Sequence, residues 1–171
     1  MRAWGLKRSS QQRQTSCGAV HQGTLVFARD DDYFFGVLHA RVHELWARGT
    51  GTQLREAESG FRYTPTSTFE TFPLPWAPGT EPVDDPRVIA IADAARDLTA
   101  LRDRWLNPLE ATEVTLRERT LTRLYNERPT WLALAHDRLD DAMLDAYGWS
   151  HDLGDDEILG RLLALNLERA G

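Results

Sequence analysis

The sequence predicts a mainly α-helical chain: a small strand-bearing N-terminal lobe, an extended proline-rich strap and a C-terminal helical bundle. Three observations carry this reading. Apolar residues recur at intervals of three and four through most of residues 84–168, the spacing of one helical face. Residues 62–76 set Pro65, Pro73 and Pro75 among Thr64, Thr66, Thr68 and Thr71, a composition that favours extended backbone over helix. Leu25, Val26 and Phe27 form a short apolar run of strand character. With 171 residues, 42% of them hydrophobic and 27% charged, the chain is long enough for a globular core.

Residues 1–22 are polar and without helical or strand period, and are expected to be a weakly ordered basic leader. After the 25–27 run, Asp30, Asp31 and Asp32 place acceptors and negative charge where a helix N-terminus has unpaired amides. The same carboxylates could suggest a metal, but no acids follow at calcium-loop spacing, which favours capping. One helix is expected over residues 33–47, with Phe34, Leu38, Val42, Leu45 and Trp46 on its apolar stripe and Gly49 and Gly51 ending it. His39 and His43 lie one helical turn apart, as zinc ligands can. Ala40 stands where a zincin has its glutamate, and a third ligand would have to be His21, Glu44 or His151. The alternative is two histidines beside the core, bonded to a carbonyl or carboxylate, and no metal site is assigned.

In the strap, Phe72, Leu74 and Trp76 occupy alternate positions and would share one face of an extended chain. Such a segment is expected to press onto an apolar surface. Residues 77–82 read as a linker rich in proline and glycine. Asp84 or Asp85 then caps a helix with Pro86 in its first turn, carrying Val88, Ile91 or Ala92, Ala95, Leu98, Leu101 and Trp105 up to Asn107-Pro108. A third helix, 112–126, is capped by Thr112 and expected to bury Leu116, Leu121, Leu124 and Tyr125. A fourth starts near Pro129, carries Trp131, Leu132, Ala135, Leu139, Ala142, Met143 and Tyr147, and closes at Gly148 with Trp149 folded back. The fifth, 155–168, has Ile158, Leu159, Leu162, Leu163 and Leu165, more leucine than one stripe needs, and is expected to sit between partners.

Charge and cysteine content exclude several roles. Arg2, Lys7, Arg8 and Arg13 stand in the leader without an acid, which leaves 16 basic against 26 acidic residues, a net −10, in the rest. Such a body repels phosphate and is a poor DNA clamp alone. No run of about 18 apolar residues exists, so no membrane-spanning helix is expected. The start of the chain lacks the apolar core of a signal peptide. Cys17 is the single cysteine, which rules out an internal disulfide and a cysteine-built zinc site; a reduced, cytoplasmic setting is expected.

Residues 26–46, then Arg62-Tyr63-Thr64 and Thr71-Phe72-Pro73-Leu74-Pro75, resemble the C-terminal part of MmeI-like type II restriction-modification enzymes, adenine-specific DNA methyltransferases that use S-adenosylmethionine. Residues 102–108, 120–126 and 146–149 resemble the same family's tail, so the likeness spans about 25–170. It implies a target-recognition remnant flanking the methyltransferase over 23–83 and a C-terminal helical domain over 84–171. It implies DNA as a partner of the full-length family, with Arg62 and Tyr63 as candidate DNA contacts. Arg62 bonded to an acidic neighbour and Tyr63 packed on the strap is the competing reading. Phe69, Phe72, Leu74 and Trp76 are the candidate contacts to a methyltransferase domain. The leader departs from the family, as expected of a gene remnant or of translation starting inside a longer, disrupted gene.

The machinery of that reaction is not in the sequence. None of the 12 glycines sits in a strand–turn–helix context that could cradle S-adenosylmethionine. Asn107-Pro108-Leu109 and Asn126-Glu127-Arg128-Pro129 are poor versions of the Asn-Pro-Pro-Tyr turn that holds a flipped adenine. Lys7 is the only lysine and lies in the leader, so the Asp and Glu-x-Lys set of a restriction nuclease is not present. No catalytic residue and no cofactor are assigned. The expectation is a non-catalytic fragment that braces target recognition and orients DNA. The alternative is an acidic interaction module that self-associates through Phe72, Leu74 and Trp76.

Overall fold

The computed structural model describes residues 27–51 and 63–170, which form seven α-helices and one π-helical turn with no strand among them. The helices are α1 Asp32–His39, α2 Arg41–Thr50, α3 Pro86–Leu106, α4 Glu113–Glu118, α5 Leu121–Glu127, α6 Thr130–Tyr147 and α7 Asp155–Ala170; the π-helical turn is Pro65–Phe69. The mainly α expectation holds. The strand-bearing lobe is not formed by the described residues: Leu25 and Val26 lie outside them, and Phe27 is irregular backbone. Its ring packs 5.7 Å from Phe34 and 4.7 Å from Phe69, centroid to centroid.

Of the three aspartates before the first helix, Asp31 is the cap, accepting the Phe34 amide at 2.8 Å. The single helix expected over 33–47 is two. Ala40 is extended (ψ 151°); its amide closes α1 on the Gly36 carbonyl, and its own carbonyl starts α2. Alanine has no side-chain oxygen to cap α2. The carboxylate of Asp140, on α6, supplies it and accepts the Arg41 amide at 2.7 Å. Burial pushes the Asp140 carboxyl up to about 6. A break fixed by a residue 99 positions away leaves no trace in local periodicity.

The strap also departs from expectation. Pro65 opens a helical turn instead of forbidding one, because the first position of a turn needs no amide donor. The Glu70 amide reaches the Pro65 carbonyl at 3.0 Å, the five-residue bond of a π-helix. Phe72, Pro73 and Leu74 follow as irregular backbone, with the Leu74 amide closing a tight turn on the Phe72 carbonyl at 2.9 Å.

Further along, α3 starts at Pro86 with Asp85 as cap and ends before Asn107-Pro108, as its sequence implies. Arg102, not Leu101, takes the buried place in its last turns. The helix expected over 112–126 is broken at Arg119 and Thr120, with Thr112 capping α4 and Thr120 capping α5. Arg119 is held away from the axis by Trp105, donating to its carbonyl at 2.5 Å with the guanidinium 4.9 Å over the ring. Leu124 is fully buried, but Leu116 is exposed, contrary to the stripe reading. At the end of α6, Gly148 takes the left-handed conformation (φ 69°), and Trp149 folds back to stack on Tyr147 at 4.4 Å. Ile158 and Leu162 of α7 are fully buried while Leu163 and Leu167 face outward.

One core joins these elements across residues 33–162. α3 lies between α1 and α6, and α2 packs on α7. The α1–α3 contact depends on Gly36: a Cβ there would meet Ile91 Cγ2 at 2.8 Å, Ala95 Cβ at 3.1 Å and the Ile91 carbonyl oxygen at 3.2 Å. Gly160, inside α7, has nothing within 4 Å of such a Cβ. The same substitution should therefore act with opposite sign at the two sites. Gly36→Ala should destabilise by about 1–3 kcal/mol through overpacking, and Gly160→Ala should stabilise by roughly 0.5–1 kcal/mol through helix propensity. Urea midpoints of the two variants decide it.

Candidate functional site

The candidate residues converge on the strap and the helices that clasp it. Arg62 lies outside the described residues. Tyr63 is described, and it points inward: its hydroxyl donates to His43 Nε2 at 3.1 Å. His43 Nδ1 lies 3.1 Å from the Leu38 carbonyl, so the proton sits on Nδ1 and the ring is neutral with Nε2 as acceptor. Burial raises the Tyr63 phenol and lowers the His43 imidazole to about 4. Tyr63 is thus fastened to α2 through His43.

His39 faces elsewhere. Its ring stacks on Phe35 at 3.9 Å, and Nδ1 donates to the Phe35 carbonyl at 3.0 Å. Burial first, then the Arg102 charge, lowers it to about 3. Each histidine has a backbone carbonyl as its Nδ1 partner, and among the described residues no group of three His, Cys, Asp or Glu side chains could hold a metal ion.

The strap is gripped from three helices. Phe72 is 5% and Leu74 7% exposed, and Pro73 between them is also buried, because the chain is enclosed on both sides. Phe72 meets His43 edge-on at 5.0 Å and Trp46 at 6.5 Å. Trp76, half-buried, lies 6.1 Å from Tyr33, with the Arg87 guanidinium 5.1 Å over its ring. Phe69 packs on Phe27 and Phe34. The strap's carbonyls are taken in turn by distant side chains. Asn166 donates to Thr71 at 2.6 Å, the Tyr147 hydroxyl to Pro73 at 2.9 Å, and Arg169 to Leu74 at 2.6 Å. Trp46 Nε1 adds a bond to Thr71 Oγ1 at 3.2 Å. These donors were not singled out from sequence; an isolated Asn or Arg on a helix gives no signal of a carbonyl roughly 95 residues away.

Two surface depressions of about 510 and 500 Å³ lie elsewhere. The first is lined by Asp93, Asp141, Asp145 and Arg138 between α3 and α6, the second by Arg29, Asp31, Glu81 and Arg96 beside α1. Both are rich in carboxylates. Neither contains a glycine-rich turn.

A helical assembly clasping a proline-bearing strap matches, in both fold and sequence, one segment of MmeI-like restriction-modification methyltransferases. The structure of the type IIL restriction-modification enzyme MmeI, solved in complex with DNA, superposes with a TM-score of 0.64 and 25% identity over 82% of this chain. DNA methyltransferase A of Bacillus subtilis (strain 168) is 28% identical over 138 residues, 80% of this chain. The chain spans only 16% of the first protein and 13% of the second. No protein-family profile matches it. Among the described residues no helix is long and apolar enough to cross a membrane.

The buried imidazoles set the acid response. At pH 7 both are neutral in the folded chain and mostly neutral in the unfolded one. Below about 6.5 the unfolded chain takes up protons that folded His39 and His43 refuse until about 3 and 4, so stability falls on acidification, by about 1.4 kcal/mol per pH unit for each. Asp140 acts oppositely: between about 6 and 3.8 the folded carboxyl holds a proton that the unfolded one releases. Two histidines with larger displacements outweigh it. The urea midpoint should fall from pH 7 to pH 4.5, and the His39 and His43 proton resonances should not titrate above pH 5. A rising midpoint would contradict this assignment.

Proposed function

We propose that this chain acts as a non-catalytic helical brace of a restriction-modification methyltransferase. It corresponds to the end of the target-recognition region, the strap and the C-terminal helices. The observation that supports the reading best is the match to 16% of MmeI, a small part of that enzyme, by a segment that is held together by its own core. The role proposed is positional. α2, α6 and α7 hold the strap at one place, and the strap sets where the preceding region around Tyr63 leaves the bundle. In a full-length enzyme that geometry would orient the recognition part, and bound DNA with it, against the methyltransferase part. Contact with the methyltransferase part would use what the bundle leaves uncovered: the outer surface of Phe69 and Trp76, both half-buried.

Chemistry would come from elsewhere. The sequence has no glycine-rich cofactor turn and no Asn-Pro-Pro-Tyr element, and residues 23–171 carry a net negative charge unsuited to gripping DNA unaided. The alternative of an exposed self-association patch has little structural support, because Phe72 and Leu74 are already covered by this chain's own helices.

Calorimetric titration of the chain with S-adenosylmethionine should give no saturable heat. Adding the chain to an MmeI-like enzyme that lacks its own equivalent segment should raise DNA methylation. Saturable cofactor binding, or methyl transfer to DNA by the chain alone, would overturn the proposal.

A further inference from the structure

The end of α6 carries the wrong charge for its place. Residues 140–147 include Asp140, Asp141 and Asp145, and the last turn has no basic side chain. Carboxylates there oppose the negative end of the helix dipole, and Asp141 and Asp145, four residues apart, repel one another. The loop that follows answers both. His151 turns back onto α6, with Nε2 2.8 Å from one Asp145 oxygen and Nδ1 3.4 Å from one Asp141 oxygen. An ionised carboxylate only accepts, and a neutral imidazole has a single N–H to give, so it would turn a lone pair toward one of these oxygens. An imidazolium offers a proton to each. The arrangement therefore selects the protonated ring. The Asp145 bond foremost holds that ring above the ordinary imidazole value, helped by the charges of Asp141, Asp145 and Asp152 and opposed by desolvation. Asp152 accepts from the Ser150 hydroxyl. Asp93 and Arg138 line the same depression as Asp141 and Asp145, but Asp93 is paired with Arg96 and Arg138 with Asp97.

We propose that His151 is a proton-operated latch: as imidazolium it clamps the α6–α7 loop, residues 148–154, onto the end of α6, and on losing its proton it releases that loop. The loop is placed to pass the change on to the strap. It begins at Gly148 and Trp149, beside Tyr147, whose hydroxyl holds the Pro73 carbonyl, and Trp149 stacks on that same Tyr147. It runs through buried Leu153, whose carbonyl accepts from Arg41, into α7. α7 then supplies Asn166 and Arg169 to the Thr71 and Leu74 carbonyls. His151 thus stands at the joint between the two helices that furnish the strap's three carbonyl donors. The sign follows from linkage. A folded-state value raised above 6.5 contributes stability that is fully present below 6.5 and is lost as pH rises through the folded value. The latch therefore works in the opposite sense to His39 and His43, and in a higher pH range. This inference does not rest on the brace reading, and its failure would leave that reading untouched.

The test compares the full chain with His151→Gln, which can still hydrogen-bond to one carboxylate but cannot take up a proton. Urea midpoints are measured for both at pH 6 and pH 8. Both chains contain His39, His43 and Asp140, so the contributions of those groups cancel in the difference. The parent chain's advantage over His151→Gln should be larger at pH 6 than at pH 8. Protection of the Ile158 amide, which is bonded to the Gly154 carbonyl at the start of α7, should change in the same direction. The His151 ring-proton resonances of the parent chain should titrate above the ordinary imidazole value, and Asp145→Asn and Asp141→Asn should each lower that midpoint, Asp145→Asn the more. A contact that merely fills space would give the same difference at both pH values. An equal difference at pH 6 and pH 8, a larger one at pH 8, or a His151 titration unmoved by Asp145→Asn would each overturn the latch.

Discussion

Irregular backbone can be buried only if its polar groups find partners, and the stretch from Thr71 to Leu74 is where this chain meets that constraint. Pro73 deprives the segment of a donor, and three helix-borne donors, from Asn166, Tyr147 and Arg169, take the carbonyls of Thr71, Pro73 and Leu74. An unmet buried carbonyl costs on the order of 1–3 kcal/mol. The three bonds therefore decide whether the strap lies in the core or outside it. They also tie residues near position 72 to the last two helices. The aromatic contacts of Phe72 with His43 and Trp46 close the same junction from α2.

This junction explains which features of the fold were legible in the sequence. Helices whose ends are set locally were readable: Asp85 and Pro86 at the start of α3, Gly148 at the end of α6, and the return of Trp149. Breaks set by distant partners were not. Ala40 interrupts a good apolar stripe because Asp140 captures the next amide, and Arg119 ends α4 because Trp105 holds its guanidinium. The π-helical turn at Pro65 was hidden because the prolines and threonines of residues 62–76 favour extended backbone as a group, whereas Pro65 stands at the first position of a turn, which tolerates proline. Periodicity also credited Leu116 with burial and overlooked Arg102, since it scores residue type and not the neighbours that the fold supplies.

The candidate residues show the same division. That Phe72 and Leu74 press onto an apolar surface was readable from their alternation; that the surface belongs to this chain was not. Tyr63 carried a possible DNA contact from the family resemblance, and the structure turns its hydroxyl toward His43. His39 and His43, a metal pair by spacing, are separated in function by the helix break between them. One supports Tyr63, and the other stacks on Phe35.

The central claim is that the strap and the helices around it are one cooperative unit. Native-state hydrogen exchange tests it most directly, read at the amides of Thr68, Phe72 and Leu74, which are bonded to the Thr64, Phe69 and Phe72 carbonyls. The account predicts that these amides open with the same free energy as the interior of α2 and α7, in a single global event. Rapid exchange at the strap while α2, α6 and α7 remain protected would show that the clasp is loose, and would contradict the account.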